Sequence, residues 1–348
     1  MSETAFSGRR AYRDLGLYKP DRTFCRIDLS DNTNAWGMPP EARRALADAS
    51  SFARYPSLYA DDLKDALSDY TGVPASMIST GCGSDDVLDS ALRAFAEPGD
   101  AIAYPEPTFP AIPIFARMNS LVPVPVPMSA GYDLDAKAML SARSRIIYAC
   151  SPNNPTGNAI PKSTLEELVQ RLADDQILII DEAYAEFAGV SAVDLIESCD
   201  RLIITRTMSK AFGLAGLRIG YALGNATLIA EVEKSRGPYK VSAAAERAAY
   251  VALTQDRAWV NEHVDLVLAN RARLEGALRE RGLCPIPSAA NFVFFPIDNA
   301  IEVARCMRAV GVAVRAFAEP SGLRITVGTW PQIEEALAAF DEARRECA

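Results

Sequence analysis

Five short runs rich in branched and aromatic residues recur along the chain: AIAYP (101–105), RIIYACS (145–151), ILIID (177–181), RLIITR (201–206) and RIGYAL (218–223). None keeps a polar face, which is the pattern of strands buried on both sides in a parallel sheet. Stretches of helical periodicity fall between or beside them, SDDVLDSALRAFA, KSTLEELVQRLAD and NATLIAEVEK among them. Parallel strands need long crossover connections, and helices supply these, so the alternation predicts a three-layer αβα unit around a mostly parallel sheet. After about residue 240 the texture changes to a long charged helical stretch reaching roughly Arg281, followed by FVFF, VAVR, LRITVG and a last helix from Pro331. That grouping predicts a smaller α+β domain. The expected division is a large domain over 30–240 and a small one made of 1–29 with 241–348. No internal repeat or low-complexity linker interrupts it.

At 348 residues, 49% apolar and 23% charged, the chain is long enough for a substantial core and has ordinary globular composition. A net charge of −9 opposes non-specific binding to nucleic acid or anionic lipid. Apolar runs such as QILII are far too short to span a bilayer, and the polar start MSETAFSGRR has no signal-peptide apolar region, so a cytoplasmic location is expected. The seven cysteines are scattered without a CxxC pair, suggesting neither a disulfide framework nor a zinc site. His263, the only histidine, lies in a polar helical stretch and reads as a surface residue.

In open α/β sheets the ligand crevice lies beyond the carboxyl ends of the strands, and several strands here end in chemically useful residues. RIIYACS runs into SPNNPTG, ILII ends on Asp181 of DEAY, and RLIITR runs into TMSK with Lys210. A partly desolvated lysine is neutral often enough to attack a carbonyl and form a Schiff base, a task arginine cannot perform. The plain alternative is a surface lysine after a strand. Around it Thr207, Ser209 and Arg218 offer two hydroxyls and a guanidinium suited to a phosphate, while Gly213, Gly216 and Gly220 let backbone come close. In GCGSDDVLDSALRAF (81–95), small residues before an amphipathic helix place free N–H groups at an anion-binding helix N-terminus. Ser84 with Asp85 and Asp86 reads equally well as an ordinary N-cap with an acidic first turn. Asp181 closes four apolar residues and is costly to bury unless it meets a cation, which a protonated ring nitrogen would supply. An aldehyde, a pyridine nitrogen and a phosphate together describe pyridoxal 5′-phosphate.

The motifs GCGSDD, YPEPTF, SPNNPTG, DEAY, TMSKAFGLAGLRIG and LRITVG occur in that order from about Leu29 to the last helix. In this the chain resembles the fold-type I pyridoxal-phosphate aminotransferases, and among them the histidinol-phosphate aminotransferase branch. The resemblance implies that Lys210 carries the cofactor as a Schiff base, that Asp181 pairs with the pyridinium, and that Asn154 and Tyr184 hydrogen-bond the ring's phenolic oxygen. It further implies that Phe109 stacks on the ring and that Gly83, Ser84, Thr207, Ser209 and Arg218 hold the phosphate, with Asp85 in the same turn. Tyr55 of RYPSLYADDL matches a tyrosine that reaches the partner chain's phosphate, which implies a homodimer. Arg324 matches the receptor of the substrate's acid group, and Arg315, Tyr18 and Asn34 are the other substrate-facing candidates.

Where the branch usually reads NENPxGP this chain has DNTNAWGMP, so Thr33 replaces an acid, Ala35 a proline, and Trp36 adds bulk. Lys240 stands where the branch commonly has a small amide, and Arg315 and Arg324 are only nine positions apart. These departures leave the amino donor open between a histidinol-phosphate-like amino-alcohol phosphate and a related, aromatic amino acid; the expected acceptor is a 2-oxo acid. A decarboxylase of the same fold, like the threonine-phosphate decarboxylases, is the alternative. A module that only senses the cofactor is disfavoured by the lack of a basic DNA-binding domain before residue 29, and a nicotinamide dehydrogenase by the lack of a GxGxxG turn.

Overall fold

The structure is a computed structural model that describes residues 8–12, 15–17, 21, 23–47 and 53–346. Tyr18 lies outside the described residues. In chain order the strands are β1 (Ile27–Asp28), β2 (Ile78–Cys82), β3 (Ala101–Glu106), β4 (Val122–Pro127), β5 (Ile146–Cys150), β6 (Ile177–Asp181), β7 (Leu202–Thr207), β8 (Ile219–Gly224), β9 (Phe292–Pro296), β10 (Val312–Ala313), β11 (Arg315–Ala318) and β12 (Ser321–Thr326). Seven of them form one sheet in the order β2-β8-β7-β6-β5-β3-β4. Only β8 runs antiparallel to its neighbours. All five expected strands are present within a residue of their expected bounds, and the sheet is mostly parallel as their unbroken apolar character required.

Period-two alternation sorts this sheet's side chains into two cores. Ile102, Tyr104, Ile146, Tyr148, Ile177 and Ile179 face one layer, closed by the helices Gly83–Phe95, Ala111–Met118 and Ala226–Arg236. Their neighbours Ala103, Ile147, Ala149, Leu178 and Ile180 face the other core, which includes residues of Lys162–Arg171, Ala243–Thr254 and Arg257–Glu280. Two strands, β2 and β4, had no counterpart among the five apolar runs. The outer one, β4, has the sequence VPVPVP. Val122 and Met128 donate their N–H groups to β3 and its flank, so the even-numbered residues turn their backbone N–H toward β3 and the nitrogens of Pro123, Pro125 and Pro127 face the open edge. Prolines there need no donor and block further pairing.

Beyond this sheet, β11-β12-β9 form an antiparallel sheet, and β1 pairs in parallel with β10. The helix Trp330–Glu346 packs on Ala300–Ala309, while Ala243–Thr254 packs against Pro40–Ala47 and Asp61–Thr71. No helix among the described residues is long and apolar enough to cross a membrane.

Candidate active site

Three strands of the large sheet bring the site's first group together. Thr207, the last residue of β7, lies opposite Gly220 of β8, and Gly220 lies opposite Gly81 of β2. A Cβ on Gly220 would sit 2.1 Å from the Ser84 backbone nitrogen, so only glycine lets the start of Gly83–Phe95 lie against β8. A Cβ on Gly83, whose φ is +81°, would meet the Arg218 guanidinium at 2.5 Å. Gly213, at φ +62°, approaches the Gly37 carbonyl as closely, with 2.2 Å to a virtual Cβ. Gly216 faces open space, so the expectation of close approach holds for Gly213 and Gly220 and not for Gly216.

The helix begins at Gly83 with Cys82 as its N-cap residue, and the Cys82 side chain makes no capping bond. Ser84 is therefore inside the helix, and its reading as an ordinary N-cap is corrected: the early N–H groups of a 13-residue helix are left for another acceptor. Around this end stand the Thr207 and Ser209 hydroxyls, 3.0 Å apart, and Arg218, whose Nη2 is 3.1 Å from Asp85. Lys240 lies 3.7 Å from Asp86.

Asp181 ends β6 and is buried. It accepts hydrogen bonds from the Tyr148 hydroxyl at 2.9 Å and from the Thr205 hydroxyl at 3.2 Å. Desolvation raises its pKa from 3.8 to about 6, against the lowering effect of those two hydroxyls. Both partners are neutral, so this carboxylate is held in place and still short of a counter-charge among the described residues. On the opposite face of the same strand ends, Arg206 donates twice to Glu182, at 3.0 and 2.8 Å, and once to Ser191.

Lys210 follows β7 by three residues and donates to the Asp31 carbonyl at 3.2 Å, with its amine 5.9 Å from the centre of the Tyr184 ring. Burial first and the nearby Arg324 charge second lower its pKa to about 8. The Tyr184 hydroxyl accepts from Asn32 Nδ2 at 2.9 Å, and desolvation pushes its pKa above the ordinary range. Arg324, buried in β12, donates to Asn154 Oδ1 at 2.5 Å and to the Ser30 carbonyl at 2.6 Å, and its guanidinium lies over the Phe292 and Phe317 rings. Arg315 of β11 is paired directly with Arg324 in the ladder, and it reaches Asp31 Oδ1 at 2.7 Å.

Of the other expected residues, Asn34 lines a small cavity together with Lys210. Phe109 is half-buried and packs against the core cluster that includes Tyr104 and Ile112. The Asn34 side chain is bound to the Ala211 carbonyl and the Trp36 N–H. Tyr55 is 83% exposed and packs against Tyr239 with ring centres 4.9 Å apart. Sequence reasoning missed Tyr148, Thr205, Asn32 and Asn291. Tyr148 and Thr205 sit inside apolar strand runs, and only cross-strand register places them beside Asp181. The available signal was the alternation itself, which sets Tyr148 and Cys150 on the face that Asp181 shares.

A strand-end crevice that joins a lysine of lowered proton affinity, a buried carboxylate short of a cation among the described residues, and a helix N-terminus without a side-chain cap, ringed by hydroxyls and a guanidinium, fits an aldehyde, a pyridinium and a phosphate. That is the donor set of a pyridoxal 5′-phosphate enzyme. The chain belongs to the aminotransferase class I and II family, whose model matches residues 26–340. It is 34% identical to an aromatic amino acid aminotransferase of Streptomyces coelicolor, over 99% of this chain and all of the relative. It is 36% identical to a histidinol-phosphate aminotransferase of Methanosarcina mazei, over 92% of this chain and 89% of the relative. Among solved structures, the histidinol-phosphate aminotransferase of Sinorhizobium meliloti in complex with pyridoxal 5′-phosphate superposes with a TM-score of 0.84 at 26% identity, covering 93% of this chain and 92% of that one.

Proposed function

We propose that this aminotransferase moves an amino group from an acidic donor, an aromatic amino acid or a histidinol-phosphate-like amino-alcohol phosphate, to a 2-oxo acid. One observation carries the donor class: Arg315 and Arg324 stand directly opposite each other on one face of an antiparallel strand pair, beside Lys210. Arg315 is already met by Asp31, so the pair draws an anionic group by its excess of positive charge and not by an unrelieved repulsion. Relatives named for both donor types support the same range.

Bound pyridoxal phosphate supplies an electron sink that stabilises negative charge at the substrate's α-carbon. The protein's residues do the rest in this reading. Lys210 holds the cofactor aldehyde, and once displaced by substrate its amine takes and returns the α-proton, work suited to a group with a pKa near 8. Asp181 keeps the ring nitrogen protonated, with Tyr148 and Thr205 fixing the carboxylate. Gly83, Ser84, Thr207, Ser209 and Arg218 bind the phosphate, with Asp85 orienting Arg218. Phe109 packs on the ring, and Asn154 and Tyr184 serve its phenolic oxygen. Arg324 takes the substrate's acid group by a bidentate contact, and Arg315, Asn34 and Tyr18 are the further substrate-binding candidates.

The reading extends to a cytoplasmic homodimer divided into a large domain over 30–240 and a small one of 1–29 with 241–348. Exposed Tyr55 and Tyr239 beside exposed Leu58 support a contact surface there. The test is a panel of amino donors and 2-oxo acids given to the purified, cofactor-loaded enzyme, with products identified by mass spectrometry. Transfer from aromatic or phosphorylated donors is expected. Carbon dioxide release in place of oxo-acid formation would overturn the reading in favour of a decarboxylase.

A further inference from the structure

The Asn291 carboxamide oxygen is buried and has no hydrogen-bond partner among the described residues, in a side chain only 2% exposed. Such an acceptor costs about 1–3 kcal/mol if nothing donates to it. Turning the amide over does not help, because its nitrogen is needed by the Asn32 carbonyl at 3.0 Å. Asn291 lines a cavity of about 10 Å³ together with Lys210, Trp36, His263, Val264 and Val267. That is room for about one water molecule. His263 closes its wall: Nδ1 bonds the Trp259 carbonyl at 2.7 Å, and the ring is stacked on Trp259 and edge-on to Trp36. The cavity reaches Lys210 and the substrate-facing candidate Asn34, but none of Gly83, Ser84, Asp181, Thr207, Ser209 or Arg218 lines it.

We propose that the cavity binds one ordered water that donates to Asn291 Oδ1 and contacts Lys210 Nζ, making Asn291 a positioning residue for the Lys210 amine. The ammonium carries three donors, and its bond to the Asp31 carbonyl uses one. A water on its other side lowers the desolvation cost of the charged form and fixes where the amine points. The amide that anchors the water is itself tied through Asn32 to the Tyr184 hydroxyl, so lysine and tyrosine are aligned by one chain of hydrogen bonds. The inference rests on Lys210 being the cofactor's attachment point. The charged groups facing Lys210 are Arg324, Asp31, Asp85 and Arg218, and His263 lies across the cavity.

The experiment titrates Lys210 in the cofactor-free protein by pH-dependent acetylation with acetic anhydride, read at each lysine by mass spectrometry. In Asn291→Leu the water is lost and the proton affinity of Lys210 falls at least about threefold, so its titration midpoint moves to lower pH. In Asn291→Asp the acceptor becomes an anion and the midpoint moves to higher pH by at least as much. A purely structural asparagine would change thermal stability and leave the titration in place, so an unchanged profile, or a displacement in the same direction in both variants, overturns the proposal. Independently of the variants, a high-resolution crystal structure of the cofactor-free wild type should show water density within hydrogen-bond reach of both Asn291 Oδ1 and Lys210 Nζ, and an empty cavity overturns it. Borohydride mapping of the cofactor to another lysine would sink the Lys210 assignment while leaving the titration and density results readable.

Discussion

The two sheets that meet at Lys210 present their charged groups in opposite ways. The seven-stranded sheet carries Asp181 on a buried strand end, surrounded by neutral hydroxyls, so its charge is short of a partner. The antiparallel pair β11-β12 carries two guanidinium groups face to face, and each is met by protein oxygens, Arg324 by Asn154 and the Ser30 carbonyl and Arg315 by Asp31. The first arrangement needs a resident cation and suits a permanent cofactor. The second is already satisfied at rest and can exchange its partners, as a substrate receptor must with every turnover. Lys210 stands between them, its proton affinity reduced by burial and by Arg324.

The largest test of this contrast is Lys210→Ala, which removes the element common to both sides. Transamination should fall to near the uncatalysed rate, and borohydride reduction should no longer attach cofactor to the chain, while the phosphate cradle still binds it reversibly. Retained covalent labelling in the variant would show that another lysine does this work.

Arg324→Lys tests the exchangeable side. Lysine cannot reproduce the planar fork, so KM for the acidic donor should rise and kcat fall, with a combined loss of about 2–4 kcal/mol in kcat/KM. Covalent cofactor binding should stay intact. If thermal stability drops and kcat/KM is unchanged, Arg324 only supports its own sheet.

Asp181→Asn tests the resident side, and its sign depends on the cofactor. Burial raises the folded-state pKa from 3.8 to about 6, so between those values the folded cofactor-free protein binds more protons than the unfolded chain and loses stability as pH rises. Above pH 6 the cost reaches about 2–3 kcal/mol, because each pH step of one between the two values takes away about 1.4 kcal/mol. Asparagine escapes it, so cofactor-free Asp181→Asn should be the more stable protein at pH 7–8 and should lose that advantage near pH 4. With the cofactor bound the order should reverse, and activity should fall sharply. Equal pH dependence of the two cofactor-free proteins would show that Asp181 already has a counter-charge.

The same contrast separates what could be read from the sequence. Asp181, Lys210 and the Thr207–Ser209–Arg218 group lie at the ends of apolar runs, where local pattern marks both the strand and its functional tip. Tyr148, Thr205, Asn32 and Asn291 carry no such mark. Tyr148 is 33 residues from the carboxylate it serves, and Asn32 bonds Tyr184 across 152 residues. Such pairs exist only once sheet register and the packing of the second sheet are known. The VPVPVP edge was hidden because proline argues against a strand everywhere except at an edge. His263, expected on a polar surface, is half-buried between two tryptophans because Trp36, far earlier in the chain, folds onto its helix.

The smallest effect concerns Tyr55, which belongs to neither sheet. It is 83% exposed in the single chain yet packs on Tyr239, an arrangement that leaves its hydroxyl available to a second copy. If that hydroxyl reaches the partner's cofactor phosphate, Tyr55→Phe keeps the ring stack and removes one hydrogen bond to a charged group. Hydrogen bonds of this kind are worth about 1.5–3 kcal/mol, and the solvent-facing position puts the effect at the low end, about 1.5 kcal/mol. Cofactor should then dissociate roughly tenfold more readily while kcat at saturating cofactor and the sedimentation coefficient of the dimer stay near wild type. A wild-type protein that sediments as a fully active monomer at nanomolar concentration would remove the shared site altogether. Tyr55 would then be an ordinary surface aromatic, and every group needed by the cofactor would have to come from the strand ends of one chain.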